Sequence, residues 1–177
     1  MMNTTDFQRA CARIKLLLFD CDGVLTDGRI ALGNGHDEFK FFSTKDGMGL
    51  ALWRKAGNLC GAVTGRSSEA LSRRAGELKF DELHQGVREK AAVIEEIIAR
   101  RGLRPEEVAF IGDDFNDLPA KRRTGLFFAP ADAHPVVRLH ADFVLGSDGG
   151  KGAVREAVDL MLTHQGRLEA LVDEYLA

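Results

Sequence analysis

A short apolar run that ends in paired acids constrains this chain more than any other feature. Leu16-Leu17-Leu18-Phe19 shows no polar alternation, which is typical of a strand buried on both faces of a parallel sheet. Asp20-Cys21-Asp22-Gly23 follows directly, and its two carboxylates can face the same space if the chain stays extended. Burying two like charges is unfavourable unless a metal ion or a shared proton offsets it. We therefore expect a functional site here, the alternative being a strand end with a simple Asx turn.

Strand and helix patterns alternate along the rest of the chain. Strands are predicted at 14–19, 59–63, 108–111, 125–128 and 142–145, and helices at 67–77, 88–101 and 152–163. A further helix is predicted to begin at Asp46, which can cap it, and to end near Gly57. This alternation predicts an α/β fold, with a mostly parallel sheet and helices on both faces. Ligands of such sheets bind outside the carboxyl ends of the strands.

Residues 25–42 interrupt that alternation. Two β-rich stretches flank Gly33-Asn34-Gly35, which is a hairpin signal. The segment is too short for a second domain, so we predict a β-hairpin flap on a single domain spanning 1–177, with a helical tail at about 164–177. Exposed Phe39, Phe41 and Phe42 on the flap would form an apolar patch that needs a partner surface.

Composition narrows the class of protein. At 177 residues and 45% apolar content, the chain can build the core of one globular domain. A formal charge of −3 gives no general attraction to nucleic acid or to an anionic membrane. The start of the chain has no signal-peptide pattern, and its three cysteines lack the spacing of a zinc site or disulfide framework. We expect a cytoplasmic protein that binds neither nucleic acid nor membrane.

Two further polar segments lie where predicted strands end or helices begin. Thr64 stands between Val63 and Gly65, where a hydroxyl and backbone N–H groups can hold an anionic oxygen. A Thr-Gly turn without function has the same sequence. Lys90 lies in the first turn of a helix, where a cation opposes the helix dipole. Because Arg88 is close by, a solvated basic patch is an equal alternative.

The last polar segment is Gly112-Asp113-Asp114-Phe115-Asn116-Asp117. Three carboxylates in five residues, just after a buried strand, suit Mg²⁺ because this ion prefers oxygen ligands. An acidic first turn of a helix is the alternative. Asp20, Thr64 and Asp113 all fall at the carboxyl ends of predicted strands, so we expect them to converge on one site.

Together the four segments resemble the motifs of the haloacid dehalogenase superfamily in their order and spacing. The resemblance covers about residues 14–165 and rests on the following residues: Asp20-Cys21-Asp22-Gly23-Val24-Leu25-Thr26, Thr64, Lys90 and Gly112-Asp113-Asp114-x-x-Asp117. It implies a Rossmann-like fold. The lack of a large insertion after the first or second motif is similar to the capless subgroup, so no cap domain is expected. Within that subgroup, the flap, Lys45-Asp46-Gly47-x-Gly49, 131–135 and 149–156 resemble 3-deoxy-D-manno-octulosonate (KDO) 8-phosphate phosphatases.

The resemblance implies a Mg²⁺-dependent phosphatase with an aspartyl-phosphate intermediate. Asp20 is then the nucleophile, and Asp22 protonates the departing sugar oxygen and later accepts a proton from water. Mg²⁺ is held by Asp20, by the backbone carbonyl of Asp22 and by Asp113. Thr64 and Lys90 hold the phosphoryl oxygens.

Other residues take supporting roles in this interpretation. Asp114 and Asp117 orient metal-bound water or Lys90. Arg66 is the candidate for the sugar carboxylate because its planar guanidinium matches that group bidentately. The remaining candidate substrate contacts are Lys45, Asp46, Gly65 and Asn116.

The resemblance also implies a small-molecule partner and an assembly. The substrate is a sugar-acid phosphate, most simply KDO 8-phosphate in lipopolysaccharide precursor synthesis, and the family packs as homotetramers through the flaps. Two alternatives stay open on the sequence. One is a phosphatase for another nonulosonate 9-phosphate or a small sugar phosphate, and the other is a non-catalytic oligomeric module that binds a sugar acid.

Overall fold

The computed structural model describes residues 3–35 and 37–177, and a six-stranded parallel sheet forms the centre of this part of the chain. The strands in chain order are β1 Leu16–Phe19, β2 Ala31–Leu32, β3 Glu38–Phe39, β4 Leu59–Val63, β5 Glu82–His84, β6 Val108–Ile111, β7 Leu126–Ala129 and β8 Phe143–Val144. The sheet order is β5-β4-β1-β6-β7-β8, whereas β2 and β3 pair with each other in antiparallel fashion. The all-apolar β1 therefore lies in the interior of the sheet, as its sequence predicts.

Helices cover both faces of the sheet. They are α1 Thr4–Arg13, α2 Thr44–Lys55, α3 Glu69–Leu78, α4 Lys90–Arg101, α5 Leu118–Lys121, α6 Pro135–His140, α7 Ala153–His164 and α8 Leu168–Leu176. Leu17 and Phe19 pack into a core with α1, α2 and α7, while Leu16 and Leu18 pack into a second core with α4 and α6. In the described ranges, no helix combines the length and apolar character needed to cross a membrane.

The strand register brings the predicted site residues to one edge. Phe19 lies opposite Ala62 of β4 and Ile111 of β6, so these neighbouring strands end at the same level. Asp20 follows β1 directly, Thr64 follows β4 directly, and Asp113 lies two residues beyond β6. The expected convergence of strand ends is confirmed.

The flap segment is a short antiparallel ribbon. β2 pairs with β3 through Ala31 opposite Phe39, and the amide of Gly33 donates to the carbonyl of Asp37 across the connection. His36, in this connection, lies outside the described residues. Phe39 and Phe41 are exposed, whereas Phe42 packs against the main core, so the expectation that all three are exposed was wrong for Phe42.

Two further expectations differ from the structure. Helix α2 begins earlier than predicted, because the Ser43 hydroxyl caps it by accepting from the amides of Lys45 and Asp46, at 3.1 and 3.4 Å. Strand β5 was not predicted because its sequence, Glu82-Leu83-His84, is polar and it lies at the edge of the sheet. Helices α5 and α6 are too short for a periodic pattern to identify.

Candidate active site

Asp20 stands where β1 gives way to a tight loop. Its amide donates to the carbonyl of Ile111 at 3.0 Å, which continues the pairing of β1 with β6 by one residue. The chain then turns over residues 21–25, with Gly23 at φ +88°. A Cβ on Gly23 would lie 2.1 Å from an oxygen of Asp113, so any side chain there would displace that carboxylate. The close approach of this loop to the acidic segment after β6 therefore requires glycine at position 23.

Lys90 is a buried cation between two carboxylates. Its Nζ lies 3.0 Å from Asp20 Oδ1 and 2.5 Å from Asp117 Oδ1, and the side chain is almost fully buried. Burial disfavours the charged form of Lys90, but the charges of Asp117 and Asp20 outweigh it and raise the pKa. The lysine is therefore an ammonium that offsets the negative charge on Asp20. The alternative of a solvated basic patch is wrong for Lys90, although Arg88 is exposed as that alternative required.

Asp117 forms hydrogen bonds that stabilise the acidic segment. Its Oδ2 accepts from the amides of Asp113 and Asp114, at 2.9 and 3.3 Å, while Oδ1 accepts from Lys90. Both oxygens are thus engaged within the protein. Asp114 is exposed and caps the following turn by accepting from the amide of Phe115 at 2.7 Å. Asp117 accordingly orients Lys90 and the backbone that carries Asp113.

Asp113 has the properties of a cation ligand. Its Oδ1 is buried and has no hydrogen-bond partner in the structure. Burial, together with the charges of Asp117 and Asp20, raises the pKa of Asp113 to about 8. One oxygen from each of Asp20, Asp113 and Asp117 lies within 4.8 Å of the others, a grouping of acidic or metal-binding side chains found nowhere else in the described chain. A hard divalent cation would satisfy the unpaired oxygen and offset the crowded negative charge.

A small cavity of about 170 Å³ opens over these groups. The residues that line it are Asp20, Asp22, Thr64, Gly65, Arg66, Asp113, Asp114 and Asn116. This set contains most of the candidates that the sequence identified on separate segments. The structure therefore brings three of the four motifs to one concave surface, with Lys90 of the remaining motif directly beneath Asp20.

Asp22 faces the flap rather than the acidic cluster. Its Oδ1 bonds to Lys40 Nζ and lies 3.4 Å from the Thr26 hydroxyl, and its Oδ2 lies 3.4 Å from Arg66 Nε. Lys40 also lies 3.6 Å from Glu38, which in turn accepts from Arg66 Nη2 at 2.9 Å. Asp22, Glu38, Lys40 and Arg66 form a network that we call the flap ion network.

Sequence reasoning missed Glu38 and Lys40. The signal was present, because alternate residues of a strand point to opposite sides and these two share one side of β3 and its extension. Phe39 and Phe41 occupy the other side and are exposed. Only the phenylalanines of this segment were predicted to have a role, although charged residues alternate with them.

The structure does not bring Lys45 and Asp46 to this cavity. Lys45 is exposed in the first turn of α2. Asp46 is fully buried, and its two oxygens accept from the amides of Gly152 and Arg155, at 3.2 and 2.8 Å. Asp46 thus fixes the start of α7. Just before α7, the amide of Gly150 donates to the carbonyl of Val24. This hydrogen bond stabilises the loop that follows Asp20.

Cys21 is not a nucleophile in this setting. The thiol is buried between the two loop carboxylates, and burial together with the charge of Asp22 raises its pKa well above the ordinary range. A thiolate is therefore unavailable near neutral pH. The other candidate nucleophiles of the site are carboxylates, and Lys90 contacts two of them, Asp20 and Asp117.

Buried carboxylates at the ends of neighbouring parallel strands, with one lysine between them, suit attack on a phosphate ester near a divalent cation. The family of haloacid dehalogenase-like hydrolases matches residues 80–157, which contain Lys90, Asp113 and Asp117. The fold is that of a haloacid dehalogenase-like hydrolase.

Curated and solved relatives define the family more closely. The chain is 42% identical over 162 residues to the 3-deoxy-D-manno-octulosonate 8-phosphate phosphatase KdsC of Yersinia pestis, covering 92% of this chain and 86% of that protein. The chain belongs to this family of phosphatases. A probable YrbI family phosphatase of Pseudomonas syringae is 40% identical, with a TM-score of 0.95 over 98% of this chain and 99% of that one. The phosphatase of Moraxella catarrhalis, solved with magnesium, phosphate and KDO, is 32% identical with a TM-score of 0.95 and the same coverages.

Proposed function

We propose that the chain hydrolyses KDO 8-phosphate to KDO and inorganic phosphate, with Mg²⁺, through an aspartyl-phosphate on Asp20. The observation that carries this proposal is the position of Asp20, whose Oδ1 is held 3.0 Å from the Lys90 ammonium beside the unpaired oxygen of Asp113. A carboxylate cannot approach a phosphate ester unless positive charge offsets their repulsion. Lys90 supplies such charge in the protein itself.

The protein residues can carry both halves of the reaction. An oxygen of Asp20 bonds to phosphorus, the bond from phosphorus to the sugar oxygen breaks, and Asp22 gives that oxygen a proton. Asp22 then takes a proton from a water molecule, whose oxygen bonds to phosphorus while the bond to Asp20 breaks. Phosphate leaves, Asp20 is again a carboxylate, and Asp22 again carries the proton with which the cycle began. Thr64 and Lys90 would hold the phosphoryl oxygens, with Asp117 and Asp114 fixing the position of Lys90 and of the acidic segment.

Mg²⁺ fits the acidic cluster. Asp20 and Asp113 would hold it together with the backbone carbonyl of Asp22, since Asp113 Oδ1 is buried without a partner and hard cations take such oxygens. When bound, the ion supplies charge that offsets the phosphoryl group and the neighbouring carboxylates.

The substrate class follows from the charges around the cavity. Arg66 presents a half-exposed guanidinium at the rim and would take the carboxylate of the sugar acid, with Gly65 and Asn116 lining the same cavity. The Moraxella catarrhalis relative was solved with KDO bound, which supports this choice. Lys45 and Asp46 stay predictions as substrate contacts, and in this chain Asp46 has the capping role described above.

Assembly and cellular context belong to the same proposal. Ile30, Leu32, Phe39 and Phe41 are exposed apolar side chains of the flap, and we propose that the flap packs against other copies in a homotetramer. We place the protein in the cytoplasm, since Cys11, Cys21 and Cys60 are all buried free thiols, as in reducing compartments. The reaction would serve lipopolysaccharide precursor synthesis.

A panel of phosphate esters tests the substrate. Phosphate release is measured for KDO 8-phosphate, a nonulosonate 9-phosphate, neutral sugar phosphates and an aryl phosphate, each with EDTA and with Mg²⁺. We expect no turnover with EDTA, recovery with Mg²⁺, and the highest kcat/KM for KDO 8-phosphate. A higher kcat/KM for another ester would assign that substrate instead. No Mg²⁺-dependent turnover of any ester would leave a sugar-acid binding module.

A further inference from the structure

The catalytic cavity is too small for the whole substrate. Its volume is about 170 Å³, whereas pockets for drug-sized ligands occupy roughly 300–1,000 Å³. A second cavity of about 550 Å³ lies between the flap and the N-terminal end of α3, with Glu38, Lys40, Ser67 and Ser68 in its lining. An eight-carbon sugar acid with its phosphate at Asp20 has to extend beyond the small cavity, and the larger one is adjacent.

The flap ion network separates the two cavities. Asp22 and Arg66 line the small cavity, while Glu38 and Lys40 line the large one. Arg66 bridges the boundary, with Nη2 at 2.9 Å from Glu38 and Nε at 3.4 Å from Asp22. A ligand that spans both cavities therefore has to pass this arginine.

Arg66 is already paired with a carboxylate in the absence of substrate. The hydrogen bond from Arg66 lowers the pKa of Glu38, so Glu38 is an anion at neutral pH. The Arg66 side chain is 48% exposed, which leaves it open to a competing ligand. Ion pairs that are open to solvent are weak, and the Arg66 side of this pair is open, so a second carboxylate of better geometry can take the guanidinium from Glu38. In the free enzyme Asp22 has a second cation partner, because Lys40 is buried against it.

We propose that Glu38 is an internal stand-in for the substrate carboxylate, holding Arg66 in the free enzyme until the sugar acid takes its place. The inference rests on the proposed function, since it requires a carboxylated substrate. It makes Glu38 a specificity-determining residue. A phosphate ester without a carboxylate has no group with which to displace Glu38, and therefore Arg66 stays at the boundary between the cavities.

Removing the charge of Glu38 tests whether this residue competes with the substrate carboxylate for Arg66. In Glu38→Gln, Arg66 loses its internal partner, and we expect the KM for KDO 8-phosphate and the inhibition constant of KDO to fall about two- to fivefold, the scale of one exposed ion pair. The KM for an aryl phosphate, which has no carboxylate, should change by less than this. Calorimetric titration of the Mg²⁺-loaded variant with KDO gives the same comparison without turnover. Glu38→Ala, which leaves neither a carboxylate nor an amide at this position, should behave in the same way.

A matched control removes a similar ion pair elsewhere. Glu95 pairs with Arg123 on the outer surface, and Glu95→Gln should leave the constants for both esters unchanged. If Glu38→Gln and Glu38→Ala bind KDO more weakly or equally well, Glu38 orients Arg66 or contacts the sugar, and the inference is wrong while the proposed function stands. If the wild-type enzyme does not hydrolyse KDO 8-phosphate, the proposed function is wrong and the inference fails with it.

Discussion

The two ends of the active site are built in different ways. At the phosphoryl end, Asp20, Lys90 and Asp117 are buried and lie at or next to the ends of core strands and helices. At the flap end, Glu38, Lys40 and Arg66 come from a ribbon of two-residue strands and from the turn before α3. The phosphoryl end is thus anchored to the core, while the groups that would meet the sugar stand on a short ribbon and a turn.

The charges at the buried phosphoryl end contribute more free energy than those at the flap end. Removing one partner of a buried pair leaves an uncompensated charge and typically costs about 3–5 kcal/mol. The pair of Arg66 with Glu38 is open to solvent on the arginine side, and solvent-exposed pairs contribute about 0–1 kcal/mol. Substitutions at the phosphoryl end should therefore change both turnover and folding stability, whereas substitutions of Arg66 or Glu38 at the flap end should change mainly which ester is accepted.

The largest effect is expected from Asp20→Asn. The variant keeps the shape of the side chain but lacks the nucleophile, and kcat should fall by roughly 10⁴-fold or more, the scale seen when a nucleophile is removed. Steady-state hydrolysis and circular dichroism give the two readouts. Asp173→Asn on exposed α8 is the control and should leave kcat unchanged. Substantial turnover by folded Asp20→Asn would assign the nucleophile elsewhere.

Lys90→Met should have the next largest effect. It removes the cation between Asp20 and Asp117, and kcat should fall by about 10²–10³-fold, as when one stabilising donor is lost from an active site. Urea unfolding should also show a stability lower by about 3–5 kcal/mol, the usual cost of leaving buried charge uncompensated. Arg88→Met removes an exposed cation two residues away and serves as control. Equal effects of the two substitutions would contradict the buried role of Lys90.

Arg66→Ala should alter the substrate preference more than turnover. Losing a charge-assisted hydrogen bond of about 1.5–3 kcal/mol should lower kcat/KM for KDO 8-phosphate by roughly 10- to 150-fold. Hydrolysis of an aryl phosphate should change far less. Comparable losses with both esters would mean that Arg66 acts on the phosphoryl group or on Asp22 rather than on the sugar carboxylate.

Metal binding should depend on pH through Asp113. Its pKa is about 8 in the folded chain against 3.8 for the free side chain, so between these values the folded state holds a proton that the unfolded state has lost. The free energy of unfolding of metal-free protein therefore falls as pH rises through this interval. Mg²⁺ requires the carboxylate form, so its stabilising effect should be larger near pH 8 than near pH 5.

Urea unfolding with EDTA and with Mg²⁺ at the two pH values measures this effect. The side chain of Asp113→Asn cannot ionise, so most of the difference in Mg²⁺ stabilisation between the two pH values should disappear in this variant. The same Mg²⁺ stabilisation at both pH values in the wild-type protein would show that Asp113 is not the group linked to the metal.

Most of the phosphoryl end could be predicted from sequence. Buried strands such as 59–63 and 108–111 are continuous apolar runs, and polar residues directly after them must lie at one edge of a parallel sheet. Lys90 was harder, because nothing local shows that a cation in a first turn is buried. Its partners, Asp20 and Asp117, are 70 and 27 residues away in sequence.

The flap end could not be predicted as well, for a physical reason. Two-residue strands carry little periodicity, and the charged side of the ribbon faces the site only because of tertiary packing. Asp46 is a second residue whose contacts depend on tertiary packing and could not be predicted from the local sequence. Its position suggested a helix cap or a ligand, but it caps α7, more than 100 residues further along. The division into one domain with a flap and a tail stays a prediction.

The most direct test of covalent catalysis by Asp20 is rapid acid quench during turnover of an aryl phosphate, followed by peptide mapping of the phosphoryl group. The Asp22→Asn variant is the protein to use, because an aryl leaving group departs without a proton from Asp22, whereas the second half-reaction lacks its base and the covalent intermediate should accumulate. We expect phosphate on the peptide that contains Asp20, and only when Mg²⁺ is present. Phosphate on another residue, or an unphosphorylated protein that still turns over at the wild-type rate, would contradict covalent catalysis by Asp20.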